Sequence, residues 1–169
     1  MKIIGVIPSR YASTRFPGKP LVQIAGKSMI RRVYEQALKC LSLDMVVVAT
    51  DDKRIADEVE SFGGRFIMTS SKHESGTDRC AEVIGHYDGF DAVINIQGDE
   101  PFIDPAQIDL IAGCLKDPAV ALATLVKQIT TQEELFNTNI PKVVLNDRGE
   151  AVYFSRQTIP YLRNAPQDQ

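Results

Sequence analysis

Short apolar runs alternate with helix-length amphipathic stretches along most of the chain. Ile3-Ile4-Gly5-Val6-Ile7-Pro8 and Val46-Val47-Val48-Ala49 are continuous apolar runs rich in β-branched residues, as expected of strands buried on both faces. Ala92-Val93-Ile94-Asn95-Ile96 and Val120-Ala121-Leu122-Ala123-Thr124-Leu125-Val126 repeat the pattern and predict two more strands. Between them, Ile30, Val33, Ala37, Leu38 and Leu41 fall at helical spacing. Ile55, Val59 and Phe62 do the same as far as Gly63-Gly64, a helix stop. Asp104-Pro105 reads as an N-cap followed by proline at the first helical position. Strand, helix and strand in series predict a three-layer α/β domain with a mainly parallel, mixed sheet. Further on, Lys142-Val143-Val144-Leu145 and Ala151-Val152-Tyr153-Phe154 flank Asn146-Asp147-Arg148-Gly149, which predicts a hairpin with glycine in a four-residue turn.

Composition narrows the class. The chain has 169 residues, 44% hydrophobic and 24% charged, enough for one domain spanning 1–169 with a core that needs no staples. A net charge of -3 and a pI near 5.4 give no reason to expect a nucleic-acid partner. No apolar run approaches the roughly 18 residues of a membrane span, and Arg10 interrupts any signal-peptide core, so no membrane association is expected. Cys40, Cys80 and Cys114 are odd in number and lack metal-ligand spacing. They are expected to be reduced, mostly buried thiols in a cytoplasmic protein. The only histidines, His73 and His86, show no orienting partner in the sequence and are expected to be structural or solvated.

The chemistry is local. Directly after the first apolar run comes Arg10-Tyr11-Ala12-Ser13-Thr14-Arg15-Phe16-Pro17-Gly18-Lys19, a loop with three cations shaped by Pro17 and Gly18. Arginine offers a planar fork to phosphate oxygens and lysine a mobile point charge, so the loop suits a polyanion. A loop at the carboxyl end of a strand is also where open α/β sheets bind ligands. Two better-known phosphate motifs are excluded. Gly26-Lys27-Ser28 resembles the end of a P-loop, but the required first glycine falls on Leu21, and no Gly-x-Gly-x-x-Gly follows the first strand. After the run ending near Ile96 stands Gln97-Gly98-Asp99-Glu100-Pro101. A carboxylate there could reach a Mg²⁺ held between phosphates, although Gly98 and Pro101 would also suit a simple turn. Ser75-Gly76-Thr77-Asp78-Arg79 could read a base or phosphate, or Thr77 or Asp78 could merely cap a helix. In Thr50-Asp51-Asp52 either aspartate is expected to be a structural N-cap.

These blocks converge on one family. Ile7-Pro8-Ser9-Arg10-Tyr11-Ala12-Ser13-Thr14-Arg15-Phe16-Pro17-Gly18-Lys19-Pro20-Leu21 closely resembles the signature of the 3-deoxy-manno-octulosonate (Kdo) cytidylyltransferases. Ala49-Thr50-Asp51-Asp52, Ser75-Gly76-Thr77-Asp78-Arg79, Asn95-Ile96-Gln97-Gly98-Asp99-Glu100-Pro101 and Tyr153-Phe154-Ser155-Arg156 with Ile159-Pro160-Tyr161 resemble further blocks, in order. An acylneuraminate cytidylyltransferase would carry a glycine-rich first loop instead. The resemblance implies a Rossmann-like nucleotidyltransferase fold. It also implies a Mg²⁺-dependent reaction of CTP with Kdo, giving CMP-Kdo and pyrophosphate for the lipopolysaccharide inner core, in a cytoplasmic homodimer. By the same resemblance Arg10, Lys19 and Asp99 are catalytic. Pro8, Arg10, Arg15, Lys19, Ser75, Gly76 and Arg79 bind the nucleotide, Gln97 and Arg156 face the sugar, and Asp99 holds the metal.

The chemistry implied is in-line attack of the Kdo anomeric hydroxyl on the α-phosphorus, which asks for alignment and charge neutralisation rather than a covalent protein nucleophile. Beside the family, the chain is expected to be C-terminally incomplete. A block with histidine and aromatic residues and a late acidic segment are not found in it. That region is expected to supply a second metal carboxylate, much of the sugar pocket and part of the dimer contact. Two alternatives stand beside the leading expectation: a cytidylyltransferase for an amino-Kdo or other acidic sugar, and a non-catalytic CTP-binding remnant.

Overall fold

The largely apolar segment Ile3–Ser9 forms β1, the second-to-last strand of a four-stranded parallel sheet. The computed structural model describes residues 1–12 and 16–163. β1 is flanked by β4 (Met45–Thr50), which pairs on its outer side with β5 (Phe66–Met68), and by β6 (Ala92–Asn95). The register runs Ile4 opposite Met45 to Ser9 opposite Thr50, and Ile3 opposite Ala92 to Val6 opposite Asn95. Antiparallel pairing is confined, among the described residues, to two small hairpins: β2 (Gln23–Ile24) with β3 (Lys27–Ser28), and β7 (Lys142–Leu145) with β8 (Ala151–Ser155).

The period-two alternation of the strands builds two apolar layers. Ile3, Ile7, Val46, Val48 and Ile94 face α1 (Met29–Ala37), α2 (Lys53–Ser61) and α4 (Pro105–Cys114). Ile4, Val6, Val47 and Ala49 face Cys80 and Val83 of α3 (Gly76–Ile84). Helices on both faces of a parallel sheet make the expected three layers. The strand order β5-β4-β1-β6 means the chain works outward from β1 on one side and then returns to its other side. That switch opens a crevice beyond the carboxyl ends of β1 and β6.

Most punctuation falls where the sequence puts it. Asp104 caps α4 and accepts from the Ala106 amide at 3.0 Å. α2 ends before Gly63, whose φ of +74° suits glycine. Two elements depart from expectation, and two others were not foreseen. Helix α1 stops at Ala37, so Leu38 and Leu41 lie outside it, and Leu41 is 94% exposed. Residues 120–126 form no strand, because no described strand lies beside them to satisfy their backbone; Leu122 is 90% exposed. β5 is too short to announce itself. The Gly26-Lys27-Ser28 stretch belongs to a tight hairpin, in which Ala25 and Gly26 both take positive φ (46° and 77°) as a type I′ turn requires.

The chain divides into two compact units, Met1–Ala123 and Thr124–Gln169. The first carries the sheet and both layers. The second contains α5 (Gln132–Phe136), capped by Thr131, and the β7–β8 hairpin, whose turn places Gly149 at φ +77°. Residues 164–169, the polar tail, lie outside the described residues.

Candidate active site

The crevice at the switch point is a cleft of about 250 Å³. Pro8, Ser9 and Arg10 line it from the end of β1, Lys19 and Pro20 from the turn that follows the basic loop, and Gly76 from the start of α3. Gln97, Gly98 and Asp99 close it after β6. Two glycines permit this convergence. A Cβ on Gly98 would stand 3.0 Å from the Pro8 carbonyl oxygen, and one on Gly76 would stand 3.2 Å from Pro8 Cγ. Two backbone segments, at Gly76 and Gly98, therefore approach Pro8 at distances a Cβ would crowd.

Charge in the cleft is paired and ready to exchange. Lys19 Nζ donates to Asp99 Oδ2 at 2.6 Å, joining residues 80 positions apart, and both side chains are partly exposed. Arg10 Nη2 donates to the Glu74 carbonyl at 2.7 Å, which ties the end of β1 to the loop entering α3. Of the expected nucleotide, sugar and metal residues, Pro8, Arg10, Lys19, Gly76, Gln97 and Asp99 are thus brought together in one cleft. Arg15 lies outside the described residues. Arg156 belongs to the second unit, where it donates to the carbonyls of Thr138 and Asn139.

Ser75 and Arg79 do not line the cleft and make contacts within the fold. Ser75, rather than Thr77 or Asp78, is the N-cap of α3. Its hydroxyl accepts from the Asp78 amide at 3.1 Å, while Asp78 returns a bond to the Ser75 amide, a full capping box. The Ser75 hydroxyl also donates to Asp78, and this bond first, then the backbone one, holds the Asp78 carboxyl below the ordinary range. Arg79 is completely buried. It donates to Asp51 Oδ2 at 2.9 Å and to the Thr69 hydroxyl, so it braces α3 against the ends of β4 and β5 rather than lining the cleft. Asp52 is the N-cap of α2, as expected of one of the pair. His73 does have a partner, which the sequence hid: its Nε2 meets Glu82, one helix further on, and that bond lowers the Glu82 pKa. The pairing exists because the loop before α3 folds back along it.

A three-layer parallel α/β unit with a cationic, carboxylate-bearing cleft at its switch point has the architecture of a Rossmann-like nucleotidyltransferase. Residues 4–169 match the model of a family described as cytidylyltransferase. The chain belongs to that family, among its 3-deoxy-manno-octulosonate cytidylyltransferases. It is 57% identical over 164 residues to the 3-deoxy-manno-octulosonate cytidylyltransferase of Cytophaga hutchinsonii, an alignment covering 96% of this chain and 65% of that one. The corresponding protein of Bacteroides thetaiotaomicron is 54% identical over 99% of this chain and 68% of its own length. A solved structure of CMP:2-keto-3-deoxy-manno-octonic acid synthetase complexed with CTP superposes with a TM-score of 0.91 at 48% identity, covering 97% of this chain and 68% of that one. The chain thus spans about two thirds of the length of the relatives it matches.

Proposed function

We propose that this chain carries the CTP-handling part of an enzyme that transfers CMP from CTP to Kdo, releasing pyrophosphate. The observation that carries the reading is the convergence of Arg10, Lys19, Gln97 and Asp99 on one cleft at the switch point of the sheet. The relatives' shared name supplies the substrates. Arg10 and Lys19, joined by Arg15 of the same loop, would hold the triphosphate and draw charge from the departing pyrophosphate. Gly76 and the first turn of α3 would lie along the nucleotide, and Gln97 would approach the sugar. The anomeric hydroxyl of Kdo would attack the α-phosphorus as the bond to the pyrophosphate oxygen breaks, so the protein's work is alignment and neutralisation.

The donor set fits a magnesium ion. Asp99 puts one carboxylate on the cleft, and no cluster of three or more metal-ligating side chains occurs among the described residues. That suits an ion taking most of its ligands from phosphate oxygens and water. Bound by Asp99, Mg²⁺ would supply Lewis-acid charge beside the reacting phosphate. Lys19 and Asp99 would first have to part. A partly exposed pair of this kind contributes only about 0–1 kcal/mol, so the exchange is cheap.

Calorimetric titration of the chain with CTP and Mg²⁺, with ATP, GTP and UTP as competitors, tests the nucleotide part. Pyrophosphate release on adding Kdo, an amino-Kdo or N-acetylneuraminate tests the acceptor. Selective CTP binding by the chain is expected, and any pyrophosphate release is expected to depend on Kdo. Failure of the folded chain to prefer CTP, or release with another sugar in preference to Kdo, would overturn the reading.

A further inference from the structure

The basic loop closes on itself just inside its two outer cations. The Gly18 amide donates to the Tyr11 carbonyl at 2.9 Å, so residues 11 and 18 form a neck with Arg10 and Lys19 directly beyond it. Gly18 takes a φ of +72°, and a Cβ there would lie 3.1–3.2 Å from the Tyr11 ring and hydroxyl. Across the same ring stands Arg54 of α2, its guanidinium carbon 3.2 Å from the ring centroid. Arg54 is itself fixed: Nε and Nη2 donate to the two oxygens of Asp52 at 2.9 and 2.7 Å. Asp52 in turn accepts from the Arg54 amide at 3.0 Å as the cap of α2. Arg54 does not line the cleft, and its fork is already taken by a carboxylate.

We propose that Tyr11, Arg54 and Asp52 form a positioning device that sets the spacing of Arg10 and Lys19 across the cleft. The proposal rests on the nucleotide reading above only for what those cations then hold. A planar cation laid on an aromatic face and clamped along its edge by a carboxylate can move little without losing one contact or the other. The ring it covers is the one against which the neck packs. Asp52 therefore has a role beyond capping, and Arg54 acts on the cleft through Tyr11 without touching a ligand.

The test compares Arg54→Met, Arg54→Lys, Tyr11→Ala, Tyr11→Phe and the double variant Arg54→Met/Tyr11→Ala. Lys53→Ala removes a neighbouring exposed cation of the same helix and serves as the charge control. Two readouts are used: hydrogen exchange of the Gly18 amide, and calorimetric affinity for CTP with Mg²⁺. Arg54→Met and Tyr11→Ala are each expected to speed Gly18 exchange and weaken CTP binding about fivefold to tenfold. The double variant should be no worse than about twofold beyond either single one, because both break the same contact. Tyr11→Phe, which keeps the ring, should restore both readouts, and Lys53→Ala should change neither. If Arg54→Lys matches wild type, or the single losses add, the planar stack is not the cause and the proposal falls. A role confined to the stability of α2 would lower the melting temperature while leaving Gly18 exchange and CTP affinity in place, which also overturns it. If wild type does not bind CTP, the nucleotide reading fails by itself, while Gly18 exchange still decides whether the device exists.

Discussion

Asp99 shows how much one carboxylate can be asked to do. In the structure it holds Lys19 at 2.6 Å; in the proposed complex it turns to a divalent ion. Both roles yield one expectation with opposite signs under two conditions. With Mg²⁺ present, Asp99→Asn should weaken CTP binding by at least about tenfold, since a ligand of the ion is lost. In EDTA the same variant should bind metal-free CTP as well as wild type or better, because Lys19 is released and a negative charge leaves the cleft. Calorimetry in the two buffers decides the matter, and equal losses in both would rule out the metal role. At this scale the sequence was informative wherever a residue meets the cleft. Arg10, Lys19, Gln97 and Asp99 were all chosen from loops at strand ends, and all line it. The partners a charged residue finds inside the fold were not legible: Arg79 carries the same guanidinium as Arg10, and nothing local showed that it pairs with Asp51.

Among the elements, α3 depends on that buried arginine. Arg79 lies in its first turn, four residues after Ser75, and ties it to Thr69 at the end of β5 and Asp51 after β4. Removing Arg79 leaves the half-buried Asp51 carboxylate and the buried Thr69 hydroxyl without their partner. Arg79→Met should therefore cost about 1–3 kcal/mol in denaturant unfolding. CTP affinity should fall with it, because Gly76 at the start of the helix lines the cleft. An arginine that read the nucleotide directly would give the reverse: affinity lost with stability kept. Elements with a capping residue or a stop were legible, as Asp104-Pro105 and Gly63 show. The misjudged ones depend on neighbours. Residues 120–126 have strand composition and no described strand beside them, and β5, three residues long, exists because β4 offers it an edge.

Across the whole molecule, the two apolar layers also bury thiols. Cys40 and Cys80 are pushed up from 9.0 to about 11, in each case chiefly by burial, whereas Cys114 is exposed. A thiol whose pKa is raised on folding favours the folded state fully below its unfolded value. The unfolded chain ionises first, so this contribution is lost as pH climbs from about 9 towards about 11. The chain should accordingly lose stability over that window. Cys40→Ala/Cys80→Ala should flatten the loss in melts recorded against pH. In the native protein only Cys114 should react with a thiol reagent at pH 8, and fast labelling of all three would contradict the burial. What the sequence determined by itself was the class of fold and the make-up of the cleft. Continuous apolar runs, helix caps and the cationic loop are short-range properties, fixed by each residue's own side chain and near neighbours. Tertiary structure alone decided the partners: Lys19 with Asp99, Arg79 with Asp51, His73 with Glu82, Arg54 on Tyr11. These pairs join separate loops and elements whose approach is set by sheet order and packing, and no spacing along the chain encodes that approach.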